Sequence, residues 1–196
     1  VDLIDGMRFP RYGLGQDIYI KDNPEIQPQA SEEIILKNLG RAGIQLKGFA
    51  RTNLFKRLES SGYSFLLSVS RQLFRNYLFL YALENKKPLP IGKQETAAID
   101  DYLFSDEEND NGGTSNNIMN TEEEYTSQVE QVYSNLLQRH PRQYDWIRSE
   151  FFTDTLREDL ENDNELLLKI LNLNQKWEPE NDRKLSALLN LCNNIH

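Results

Sequence analysis

Little in this chain of 196 residues offers reactive chemistry. Cys192 is its one cysteine, so an internal disulfide and a thiolate metal cluster are both excluded, and within LSALLNLCNNIH it reads as a small core residue. The two histidines, His140 beside Pro141 and the terminal His196, have no partner at metal-ligand spacing and read as surface residues. No apolar run approaches the ~18 residues that a membrane-spanning helix needs, and the opening VDLIDGMRFPRYG lacks the basic-then-apolar layout of a signal peptide. No membrane partner is expected, and a cytoplasmic location is. A phosphate-binding loop would need closely spaced glycines followed by Lys and Ser or Thr. Gly40 and Gly43 lack that continuation and read as a kink or a close helix contact. The acidic run at 106–110 lacks the glycine and distal glutamate of a calcium loop, and paired carboxylates such as Asp100 and Asp101 share the same loose segment. No catalytic residue, metal ligand or cofactor of this chain's own is assigned.

What is abundant is charge, unevenly placed. The net charge of −9 would argue against nucleic acid if it were spread evenly. Between residues 31 and 87, however, ten cations (Lys37, Arg41, Lys47, Arg51, Lys56, Arg57, Arg71, Arg75, Lys86, Lys87) face four anions (Glu32, Glu33, Glu59, Glu84), a net of +6 that leaves −15 for the rest. Residues 95–130 hold eleven acidic side chains and no Lys or Arg. Arg51, Lys56, Arg57, Arg71 and Arg75 are interleaved with aromatics, and forked guanidinium donors at helical spacing suit phosphate oxygens. Two readings remain open from the residues alone: a phosphate-contacting face, or the solvated and ion-paired face of amphipathic helices.

The periodicity predicts a mainly α protein, an irregular bundle of about five to seven helices with an acidic internal loop. Residues 1–30, with Pro10, Pro24 and Pro28, read as an irregular lead-in holding one short extended candidate at 17–20. A basic helical unit follows over 31–93. Ser31-Glu-Glu predicts an N-cap there, Gly40, Gly43 and Gly48 predict a weakening, and a second helix is expected from about Thr52 to Gly62. Leu66, Val69, Leu73, Tyr77 and Leu80, widened by Phe65, Phe74, Leu78, Phe79 and Tyr81, predict a helix buried on most sides that stops at ENKKPLP. Residues 94–120, centred on SDEENDNGGTSNN, read as a flexible acidic insertion. A C-terminal helical unit over 121–196 opens at Thr121 with a capping box to Glu124. Within it a short helix is expected around 144–151, another capped by Thr153 and running through Leu156, Leu160, Leu166, Leu167, Ile170 and Leu171, and a last one over 182–191. No period-2 strand pattern stands out. The chain opens on Val1 and closes just past a predicted helix, and it is expected to be a piece of a longer protein.

The runs RTNLFKRLESSGYSFLLSV from Arg51, RQLFRNY from Arg71 and ALENKKPLPIG from Ala82 resemble bacterial Swi/Snf-type, superfamily-two helicase-like ATPases. The likeness is to the helical region between their two RecA-like motor lobes. WEPENDRKLSALL from Trp177 is similar to the family's lead-in helix before the second lobe. The resemblance covers about residues 50–94 and 176–191, in matching order and separation. It implies a DNA-dependent ATPase in which ATP and Mg belong to the lobes, since no Walker A lysine, acidic metal motif or arginine finger lies in these residues. The chain alone is expected to be inactive. Its implied partners are DNA, held weakly through the backbone, and the RecA-like lobes of the same full-length protein. The alternative is a helical protein-interaction or regulatory module.

Overall fold

The computed structural model describes residues 2–23, 25–92, 118–139 and 141–174, together with Ala187 and Leu191, and excludes the side chains of 41–45. The expected acidic insertion lies largely, and the expected helix over 182–191 almost wholly, outside the described residues. The chain is mainly helical: α1 (Asp2–Asp5), α2 (Ala30–Ser60), α3 (Gly62–Glu84), α4 (Glu122–Arg139) and α5 (Asp154–Leu173), with a small sheet of β1 (Leu89–Gly92) and β2 (Tyr144–Ile147). No described helix is long and apolar enough to cross a membrane.

Helix α3 is the axis. Its unbroken three- and four-residue spacing of large apolar side chains buries Leu66, Val69, Leu73 and Tyr77 as expected, and α2, α4 and α5 all pack on it. Apolar residues from the lead-in, α2, α3, the two strands, α4 and α5 share one hydrophobic cluster. Thr121 and Glu124 form the predicted capping box, in which the Glu124 N–H donates to the threonine hydroxyl at 3.3 Å and the Thr121 N–H to the carboxylate at 3.1 Å. The Asn120 N–H, at 2.7 Å, is the larger influence holding the Glu124 carboxyl below its ordinary pKa.

Several expectations are corrected. Helix α2 begins one residue before Ser31, with Gln29 at the N-cap, because the Glu32 carboxylate reaches back to the Gln29 N–H at 2.9 Å. It then runs unbroken through the predicted weak point. A glycine inside a helix costs about 1 kcal/mol, but Gly40 lies where the backbone of Gly15 packs directly against Leu39 and Gly40, a contact that any side chain at Gly15 would block. Nothing in the structure explains Gly48, whose Cβ would meet open space. Ser61, extended at φ −155°, ends α2 and accepts the Ser64 N–H at 3.2 Å, so Gly62 opens α3 instead of capping α2.

The expected helix around 144–151 is a strand and a 3-10 turn, and the sheet that the sequence does not announce pairs Leu89 with Ile147 and Gly92 with Tyr144, antiparallel. An isolated eight-residue helix is marginal, whereas Tyr-Asp-Trp-Ile suits a strand. Tyr144 and Ile147 turn inward, and the Trp146 ring meets Tyr133 edge-on at 5.7 Å. Thr153 does stand at the N-cap of α5, but its hydroxyl donates to the Ile18 carbonyl at 2.8 Å and not to the helix.

The lead-in is irregular, yet it inserts Ile4, Met7, Phe9, Leu14 and Tyr19 into the core. Two carboxylates on the inner face of α5 secure it. Asp163 accepts the Arg8 and Phe9 backbone N–H groups, both at 2.8 Å, while Asp159 accepts the Tyr19 hydroxyl at 2.8 Å and the Arg8 guanidinium at 2.7 Å. Phe9 is left-handed (φ 50°, ψ 53°), an arrangement that costs a non-glycine residue about 1–2 kcal/mol. The bond to Asp163 and the full burial of its ring offset that strain. The expected extended stretch at 17–20 is reduced to a bridge between Ile20 and Phe152.

Two outcomes are expected. Gly15→Ala would set a methyl group against helix backbone that cannot rotate away, and urea denaturation should show a loss of about 1–3 kcal/mol. Burial outweighs the two backbone donors at Asp163 and pushes its carboxyl up to about 6. The folded state therefore holds this proton more tightly than the unfolded chain. The stability that Asp163 contributes is complete below the ordinary carboxyl range and is lost as the pH rises through about 6. Asp163→Asn cannot titrate and turns an amide NH2 toward one of the two backbone donors. Denaturation curves across that window should lose this slope, with stability lower by about 1–3 kcal/mol.

Candidate nucleic-acid interface

Because Ser61 turns the chain back on itself, the last turns of α2 face the first turns of α3. Lys56 and Arg57 come from α2, and Arg71 and Arg75, one helical turn apart, from α3. All four line a groove of about 600 Å³ between the helices. Asn53, Ser60, Ser68 and Gln72 add polar groups, and no carboxylate is among the described residues that line it. Lys56 and Arg57 are exposed, while Arg71 and Arg75 are half-buried. Exposed like charges such as Lys56 and Arg57 on one concavity favour anions nearby, an effect that falls with ionic strength. A second, smaller cavity of about 350 Å³ shows the contrast: there Lys21, Lys86 and Arg157 are balanced by Glu84, Glu150 and Asp154.

The lead-in closes the groove at its base with Phe9 and Tyr12. Behind them lies a chain of buried polar groups. Arg11 donates through Nε to Asn76 at 2.9 Å and through a terminal nitrogen to Gln72 at 2.7 Å. Asn76 in turn donates to Asn164 of α5 at 2.8 Å. The Arg11 guanidinium stacks over Tyr12 and Phe79, 5.1 and 5.8 Å from the ring centroids. Its pKa is lowered, first by burial and also by the nearby charge of Arg75, whereas Tyr12 acts in the opposite direction. The Gln72 carbonyl is consumed by Arg11 and by the Tyr12 hydroxyl at 3.0 Å, which fixes the amide's orientation. Its NH2 is buried and has no partner among the described residues.

The structure thus gathers Lys56, Arg57, Arg71 and Arg75 in one place and puts Arg51 elsewhere. The Arg51 guanidinium donates to the Met7 carbonyl at 3.0 Å and lies 5.7 Å from the centre of the Phe9 ring, clasping α2 to the lead-in. Arg11, Gln72 and Phe49 are not singled out by the sequence. For Gln72 and Asn76 a signal exists, since polar residues four apart on an otherwise apolar helical face point to a buried network. Phe49 stands out only once its 63% exposure is known. Arg11 lies in an aperiodic stretch that carries no such signal.

The lining is suited to anions, and no Asp, Glu, His or Cys is among the described residues that line it. Among the described residues no group of three or more His, Cys, Asp or Glu is placed to hold a metal ion. No protein-family model matches the chain, and neither the curated proteins nor the solved structures provide a match to it.

Proposed function

We propose that this chain is a nucleic-acid-contacting helical region of an ATP-dependent helicase-like motor of the Swi/Snf type. On this reading it holds the DNA backbone and positions the RecA-like lobes of a longer protein, while ATP and Mg are bound by those lobes. The observation that carries the DNA contact is the exposed pair Lys56 and Arg57 on a groove with no carboxylate among the described residues that line it. The family reading rests on the runs that resemble it, and two of these, RTNLFKR and RQLFRNY, also line that groove. Phosphate contacts from Lys and Arg release condensed counterions, so they carry affinity without sequence preference.

The chain's affinity for labelled DNA should fall steeply with salt. Two phosphates neutralised by the exposed Lys56 and Arg57 correspond to a slope of roughly −1.5 to −2 in log K against log salt. Lys56→Ala and Arg57→Ala, both at exposed positions, should each weaken binding and reduce the slope by about 1 with an unchanged helical circular-dichroism spectrum. Absence of DNA binding at low salt would remove the nucleic-acid role and leave a scaffold or protein-interaction role for the helices.

A further inference from the structure

We infer that the groove takes an unpaired strand of DNA, with its phosphates on the cations and a base stacked on Phe49. This deepens the nucleic-acid reading and rests on it. Phe49 is 63% exposed and lines the mouth of the groove on the same wall as Lys56 and Arg57. Phe49, Asn53, Lys56 and Ser60 recur at spacings of four, three and four, so they form one row along α2 about 16 Å long at 1.5 Å per residue. An aromatic face at the head of a row of donors and cations fits a strand whose bases are free to leave their stack. Aromatic side chains hold such bases with little regard to sequence.

The test uses the full chain with three probes: fluorescein-labelled oligo-dT, a duplex of equal length, and heparin as a polyanion without bases. Oligo-dT is expected to bind more tightly than the duplex. Phe49→Ala should lose roughly five- to a hundredfold on oligo-dT, the worth of one stacked base, with duplex and heparin binding unchanged. Phe49→Trp should retain or improve oligo-dT binding. If the duplex binds more tightly than oligo-dT, or Phe49→Ala leaves oligo-dT affinity intact while Arg57→Ala lowers it, the stacked strand is overturned and the backbone-contact reading stands. If none of the three probes binds at low salt, the backbone-contact reading itself fails.

Discussion

The carboxylate of Asp163 receives two consecutive backbone N–H groups from a segment with almost no regular structure, and much else follows from that capture. A chain of aperiodic sequence has no ladder of its own in which to satisfy its amides, and leaving them unpaired in a core is costly. Helix α5 supplies the missing acceptors with Asp163, and one turn away Asp159 takes the side-chain donors of Arg8 and Tyr19, on a face whose other buried residues, apart from Asn164, are Leu and Ile. The carboxyls are expensive to bury, as the upward shift at Asp163 records, and the left-handed turn at Phe9 adds strain. With both in place, the lead-in becomes the layer between α5 and α2, while α5 packs directly on α3.

The groove depends on that layer. Its base is Phe9 and Tyr12, and the buried polar chain behind them links Asn164 of α5 through Asn76 and Arg11 to Gln72. The charged walls belong to the α2–α3 hairpin, but the depth of the groove is set by residues far away in sequence. Arg51 takes part from the other side by clasping the Met7 carbonyl. A cation chosen for its spacing among other cations thus serves to hold the base in position.

The sequence discloses the elements whose signals are local. Helix α3 is legible because its apolar residues keep one period for six turns, and α4 because Thr121 and Glu124 carry their own start signal. The course of α2 is not legible, since the segment that packs on it around Gly40, at Gly15, comes from the aperiodic lead-in. The strand pair is hidden for a related reason: four residues on either side, one of them proline, acquire their conformation only from each other and from Tyr133 and Trp146. At the site, the clustering of positive charge is readable and its direction is not. Which cations converge depends on the turn at Ser61, and the contribution of Phe49 depends on an exposure that no hydrophobic pattern reveals.

One feature gives the whole assembly a mechanical character. Glu32 grips Arg148 through two bonds of 2.9 Å while also holding the Gln29 N–H, and the bond to Arg148 is the main reason its carboxyl stays below the ordinary range. This rivets one end of α2 to the segment that follows β2, whereas the cations occupy the opposite end of a rod roughly 45 Å long at 1.5 Å per residue. Between that rivet and the groove, α2 is held twice more, by Gly15 against Leu39 and Gly40 and by the Arg51 clasp on Met7, so a pull on the cations meets the lead-in before it reaches Glu32 and Arg148.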